Sequence, residues 1–221
     1  METLLIVLAA IFPVVNPPGS ALVFLSLTRR ASIETRGMLA RRVAINSFFV
    51  MSGSLLLGTF VLKLYGISVP VLRVAGGIVI AISGWKLLNE GSHKLQDSSG
   101  ARSNADYGSM AFYPLTLPLT TGPGTIAVMI SLGLSRASYQ APAGEIKFVA
   151  IILVAALVTA LAIYLCFAYA DRLAKVIGHA GTDIAVRLSA FILFCLGVQI
   201  VWTGSAELLS TLPVFQASTP R

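Results

Sequence analysis

The chain has 221 residues, 56% hydrophobic and only 11% charged, with a net charge of +7 and a mean hydropathy of +0.86. A soluble domain carries about 25% charged residues because its surface must be wetted. At less than half that share, a water-facing globule, a disordered chain, a coiled coil and a disulfide framework are all excluded.

In chain order, stretches free of charge run over 3–28, 43–62, 107–135, 148–170 and 188–206. Each is close to or above the roughly 20 residues that cross a hydrocarbon layer about 30 Å thick. A further stretch, 70–89, is apolar apart from Arg73 near its start and Lys86 near its end. Both charged tips can reach an interface along their own stems. The pattern predicts an all-α polytopic membrane protein with six transmembrane helices, over 3–28, 43–64, 70–89, 109–134, 148–170 and 188–208. It divides into a three-helix repeat (1–90), a polar cytoplasmic linker (91–108), a second repeat (109–210) and a short tail (211–221).

The first, third and fifth loops hold eleven Lys and Arg, and the opposite side holds five. The positive-inside rule then makes the odd loops cytoplasmic and leaves both termini on the outer side. Five of the sixteen basic residues, Arg29, Arg30, Arg36, Arg41 and Arg42, crowd the first of those loops, so the positive charge reads as topology and no nucleic-acid partner is expected. Glu2 and the absence of Lys or Arg from the first fifteen residues argue against a cleaved signal peptide. Cys166 and Cys195 lie in apolar runs with no CxxC and read as small buried hydrophobes. His93 and His179 read as loop residues. No metal, cofactor or catalytic site is expected.

The two halves match at a constant offset of 105 residues. Pro13-Val-Val-Asn16-Pro-Pro18-Gly19-Ser20 lies over Pro118-Leu-Thr-Thr121-Gly-Pro123-Gly124-Thr125, giving P-x-x-[NT]-x-P-G-[ST]. Three spans per half is odd, so the second copy enters the membrane inverted. Proline lacks the amide hydrogen and clashes with the preceding turn, at about 3 kcal/mol in a helix interior. Both segments should therefore interrupt their helices, and both fall midway through their neutral runs. Unwound backbone at that depth is tolerated only inside protein or along a polar cavity. Each second half-helix starts near Gly19-Ser20 or Gly124-Thr125, with Pro18 or Pro123 in its first turn. Free amides and the positive dipole end should face the midplane from both, opposite free carbonyls of the preceding halves. With side-chain oxygens from Asn16, Ser20, Thr121 and Thr125 and no formal charge, such a site suits a small zwitterion.

These residues also carry a resemblance. The segments N16-P-P-G-S20 and T121-G-P-G-T-I-A127, the stretch G66-I-S-V-P-V-L-R73-V-A-G-G77, and G197-V-Q199 together resemble the MarC/SnatA family of integral inner-membrane proteins. The resemblance implies six spans, transport of small neutral amino acids of the glycine, alanine or threonine class, and a binding site at the broken first and fourth spans. That carries over to Asn16–Ser20, with Asn16, Pro18, Gly19 and Ser20, and to Thr121–Thr125, with Thr121, Pro123, Gly124 and Thr125; Pro13 and Pro118 join the candidate site through the repeated pattern.

Other features have two readings each. Arg73 is an interfacial anchor or an outer gate. Gln199, inside the sixth run, hydrogen-bonds a neighbouring helix or reaches the site. Ser54-x-x-x-Gly58 and Gly77-x-x-x-Ala81 read as faces for close helix approach. No Asp or Glu lies at mid-membrane depth, so the usual carboxylate relay for proton coupling is missing. The expected function is a secondary transporter or exporter whose partners are a small zwitterion and membrane lipids, with a homo-oligomer left open. A channel, an enzyme acting on lipid-linked pyrophosphate, and a thiol-redox conduit are the alternatives. The enzyme lacks the convergent carboxylates such chemistry needs, and the conduit lacks cysteines in the paired spans.

Overall fold

The computed structural model describes residues 2–28, 31–94, 108, 110–135 and 142–210. Among them all regular structure is helical: α1 (Glu2–Val15), α2 (Pro17–Leu27), α3 (Ile33–Tyr65), α4 (Val69–Lys94), α5 (Ala111–Thr120), α6 (Pro123–Ser135), α7 (Pro142–Ala168) and α8 (Ala170–Ser210). Five stretches are long and apolar enough to cross a bilayer: Glu2–Leu25, Ile33–Tyr65, Val69–Asn89, Gly144–Ala168 and Arg187–Ser210. The fourth expected span is instead assembled from α5 and α6, of which Pro123–Leu134 is a shorter apolar helix. Most of the expected linker and the whole tail lie outside the described residues, as do Arg29 and Arg30.

Helix α3 starts ten residues before its apolar run. Ser32 caps it, its hydroxyl accepting from Thr35 N at 3.1 Å, and Glu34 sits in the first turn, where the helix dipole favours an anion. Counting charges cannot see this, because Arg41 and Arg42 ride on the helix while facing out. The C-terminus closes on Gly66 at φ 65°. There Gly66 N donates to Lys63 O and Ile67 N to Leu62 O, a glycine stop that satisfies the last carbonyls. His93 and His179, expected in loops, lie on the helical backbone of α4 and α8. Cys166 packs against the core, whereas Cys195 is exposed rather than buried.

Packing separates the helices into two bodies. The hydrophobic core, built on side chains such as Ile11, Phe24, Leu39, Met51, Leu115, Met129, Ile152 and Phe167, draws on α1, α2, α3, α5, α6 and α7. Among the described side chains, Ala170, the first residue of α8, is the one contribution from α4 or α8. These two helices form their own antiparallel pair. Glycines fall seven apart on each, Gly77 and Gly84 opposite Gly197 and Gly204. A methyl at Gly77 would meet Val201 N and Gly197 O, and one at Gly84 would meet Phe194 N and Ala190 O. Backbones thus touch directly, which matters in lipid, where packing rather than hydrophobic expulsion joins helices. Gly58 does the same in the core, with Ile130 seated against it, so both small-residue faces read in the sequence are packing faces.

The principal contacts come in matched sets. α3 packs on α6 and α5, α7 packs on α2 and α1, α4 packs on α6, and α8 packs on α2. Exchanging each element of the first half for its counterpart in the second converts each of these contacts into another of them.

Candidate functional site

The first break is narrower than the prolines suggested. Pro13 stays inside α1, and only Asn16 leaves helical geometry, at φ 46°, ψ 61°. Asparagine is among the few side-chain-bearing residues that visit this left-handed region routinely. Its Oδ1 accepts from Gly19 N at 3.3 Å, and Asn16 O accepts from Ser20 N at 3.0 Å. Pro17 and Pro18 have no amide hydrogen. Helix α2 therefore begins with no free amide, contrary to the expectation of a donor-bearing N-terminus. What this break leaves open is acceptors. Pro17 and Pro18 stand where the amides for Pro13 O and Val14 O would be, and neither carbonyl has another backbone donor among the described residues. The carbonyl of Val15 is taken by the Ser20 hydroxyl at 3.2 Å.

The second break is wider. Tyr113 and Leu117, each directly before a proline, are extended at φ −125°, ψ 122° and φ −111°, ψ 125°. Proline's Cδ drives its predecessor out of the helical region, so Pro114 and Pro118 dictate this course. Threonine hydroxyls repair part of the damage. Thr116 Oγ1 donates to Ala111 O at 2.6 Å, and Thr120 Oγ1 donates to Leu115 O at 2.7 Å. Helix α6 then begins at Pro123, with Ile126 N bonding to Gly122 O at 3.1 Å. The amides of Gly124 and Thr125 and the Thr125 hydroxyl have no hydrogen-bond partner among the described residues. This helix start is an anion site in the physical sense: uncommitted N–H groups at the positive end of the dipole.

Folding brings the two breaks to one cavity of 420 Å³. Its floor is Val14, Val15 and Asn16 from the first break and Leu119, Thr120 and Gly122–Thr125 from the second. One wall is α2, through Gly19, Ser20, Val23 and Leu27; the other is α4, through Val79, Ile80, Ser83, Lys86 and Leu87. Leu193 of α8 adds a contact. Among the described residues the lining contains one charged side chain, Lys86, and no carboxylate.

Of the residues singled out in the sequence, Asn16, Gly19, Ser20, Pro123, Gly124 and Thr125 line this cavity. Pro13 and Pro18 do not; they shape the backbone around it, and the side chain of Pro118 lies outside the described residues. Thr121 is fully buried behind the floor, where its hydroxyl donates to Ser47 Oγ of α3 at 2.7 Å. Gln199 is exposed, its amide 3.5 Å from Thr203 Oγ1 of its own helix, and it neither bonds a neighbouring helix nor enters the cavity. Arg73 lies outside the lining. Its Nε donates to Ser131 Oγ of α6 at 3.3 Å, and its guanidinium pairs with Glu207 of α8, so it ties three helices together. The opposite end has its own tie: Arg36 pairs with Asp171 at 2.6 Å and donates through Nε to Thr28 O at 3.0 Å.

Sequence reasoning missed the α4 wall. Ile80, 6% exposed, lies directly on the α6 start, its Cδ1 only 1.9 Å from where a methyl on Gly124 would stand. A side chain at 124 would have to displace Ile80, a contact that the place of Gly124 in P-G-[ST] did not reveal. Lys86 was taken only as a group reaching for the interface.

Comparison with known proteins agrees with this architecture. Residues 1–209 match a family model described as MarC family integral membrane protein. The chain is 32% identical, over 91% of its length and 92% of the relative's, to an Archaeoglobus fulgidus protein named UPF0056 membrane protein. It is 30% identical to proteins named UPF0056 inner membrane protein MarC from Salmonella paratyphi A and Escherichia coli O1:K1, over 92% of this chain and 94% of each relative. No solved structure matches the chain.

Proposed function

The chain belongs to the MarC family of integral membrane proteins, and within that family we propose that it is a secondary transporter of small neutral amino acids, of the glycine, alanine and threonine class. The observation that carries this reading is the meeting of the two breaks at one cavity with opposite polarities on offer. The α6 start presents the Gly124 and Thr125 amides and the Thr125 hydroxyl to a carboxylate. The Val14 and Leu119 residues, whose carbonyls lost their amide partners to Pro18 and Pro123, present acceptors to an ammonium. With no carboxylate among the described lining residues, a bare cation has little there to bind it. A zwitterion satisfies both sets at once and leaves no ion unpaired in a low-dielectric setting.

On the positive-inside reading the Lys86 end of the cavity is its cytoplasmic mouth and both termini lie outside, and with three spans in each half the two halves are inverted counterparts. The cavity then faces inward, and the Arg73 end is the closed side. Alternating exposure of the two breaks moves the solute across.

Uptake of radiolabelled glycine, alanine and threonine into proteoliposomes tests the reading. A flux that saturates for at least one of them is expected. A linear, non-saturable leak for every neutral amino acid tried would leave the proposal without substance.

A further inference from the structure

Resting on the transport reading, we propose that the moving part is the α4–α8 pair, which rocks as a rigid arm against the bundle of α1, α2, α3, α5, α6 and α7, about hinges at Gly66 and Gly178. Three independent features lead there. The first is the division of the core. Among the described side chains, those of the bundle's hydrophobic cluster belong to that bundle or to the short segments at its edge, and the arm adds only Ala170. The arm can therefore shift without opening the core. Inside the arm, by contrast, glycines bring backbone onto backbone: a methyl at Gly197 would stand 2.3 Å from Ala81 N, and one at Gly84 would stand 2.5 Å from Phe194 N. Trp85 and Phe194 add a ring contact at 5.8 Å. A pair fitted this closely slides or separates only by losing most of its contacts, so it moves as one piece.

The second feature is the hinges. Among the described residues only two glycines have positive φ, Gly66 at 65° and Gly178 at 74°. They stand in the two described connections between bundle and arm: Gly66 between α3 and α4, Gly178 within α8, between its first turns at the bundle and its long arm segment. A methyl at either would meet nothing within 4 Å. Packing does not explain glycine there; backbone conformation does. At Gly178, φ 74° with ψ 173° belongs to a region open essentially to glycine alone, and a few such residues at element ends are where hinge motions are absorbed.

The third feature is the seam itself. The cavity lies along it, with α2 on the bundle side and α4 on the arm side. At the Arg73 end the seam is shut, with Gly76 against Ala127 and Arg73 bonded across to Ser131. Rocking that closes the Lys86 mouth would part these contacts and uncover the α6 start from the other side. Because Arg73 also pairs with Glu207 inside the arm, the guanidinium keeps a partner throughout, and only its bond to Ser131 breaks.

Distances between spin labels test this in reconstituted full-length protein carrying C166A and C195A. Labels at exposed positions would report across the seam (Ile82 with Leu157), within the arm (Ile82 with Val198) and within the bundle (Leu57 with Leu157). The expected result is two distance populations across the seam, in a ratio that shifts with millimolar glycine, alanine or threonine, and one unchanged distance within each body. Gly178→Ala, which disfavours the hinge conformation, should collapse the two seam populations to one. A thiol cross-link between R73C and S131C should abolish uptake, while the same reagent joining W85C to F194C should leave it intact. A single seam distance under every condition, or two populations inside the arm, overturns the proposal. Saturable uptake with an immobile seam would sink the arm and spare the transporter. Two seam populations that ignore every neutral amino acid would support the arm and sink the substrate class.

Discussion

Replacing Gly197 by alanine puts the closest approach of a glycine to another helix's backbone, among the described residues, under a known load. The added methyl would lie 2.3 Å from Ala81 N, 2.7 Å from Ala81 Cα and 2.8 Å from Gly77 O. All three are backbone atoms of a regular helix, so no side chain can swing aside. Relief requires α4 and α8 to separate by about 1 Å, and a gap of that order forfeits about a quarter to a half of each dispersion contact along the seam. Overpacking costs about 1–3 kcal/mol in general, and a site with no flexible neighbour belongs at about 3 kcal/mol. At about 2–4 °C per kcal/mol for a chain of this size, the melting temperature should fall by about 6–12 °C. The matched control is Gly53→Ala in α3, where nothing lies within 4 Å of the new methyl and helix propensity alone predicts a gain of about 0.5–1 kcal/mol. Thermal unfolding of the purified protein in detergent, followed by helical circular dichroism, measures both. Two variants that melt with the wild type would show that backbone does not meet backbone at this seam, and the arm would lose its rigidity.

Asn16→Gly keeps the left-handed backbone and loses only the cap on Gly19 N, at a few tenths of a kcal/mol, whereas Asn16→Ala should lose about 2–3 kcal/mol through cap and backbone together; melting curves of the two variants separate these terms. Thr125→Val should weaken substrate binding about fivefold, the value of one hydroxyl hydrogen bond of about 1 kcal/mol, in an equilibrium binding titration. Thr121→Val should leave affinity alone and cost about 1 kcal/mol of stability instead, because its hydroxyl serves Ser47. Lys86→Gln should raise the solute concentration for half-maximal uptake about three- to tenfold by removing the one charge at the cavity mouth, and the difference should shrink as salt is added. An effect that salt does not touch would make Lys86 a packing residue.

The prolines were legible, and most of the site followed from them. Pro17, Pro18, Pro118 and Pro123 remove donors at fixed places, and a missing donor has the same consequence in any fold. Asn16 was legible as part of a motif, but its role as a cap that silences the α2 start depends on a side-chain torsion that spacing does not specify. The arm was hidden for a related reason. Gly77, Gly84, Gly197 and Gly204 fall seven apart, a signal present in the sequence, yet small residues are common in membrane helices and the pairing of α4 with α8 is a long-range fact. Gln199 misled because an amide in an apolar run suggests a distant partner, while a threonine one turn away meets its need. Ile80 could not be found at all: nothing distinguishes it from other apolar residues until Gly124 is seen beneath it.

The difference between the two breaks follows from one residue in each motif. Asn16-Pro17-Pro18-Gly19 puts two prolines in the first turn of α2 and an amide side chain over the next donor, so that helix start is electrically mute. Thr121-Gly122-Pro123-Gly124 has a single proline in the first turn of α6, and its capping position is occupied by Gly122, which has no side chain to fold back. The amides at 124 and 125 therefore remain uncommitted. Duplicated segments that began alike would bind two like groups, two carboxylates or two ammoniums. Segments that differ in this way present donors on one side and acceptors on both. Such an arrangement has two unlike ends, and on the proposed function it would set the orientation in which an amino acid lies between the halves.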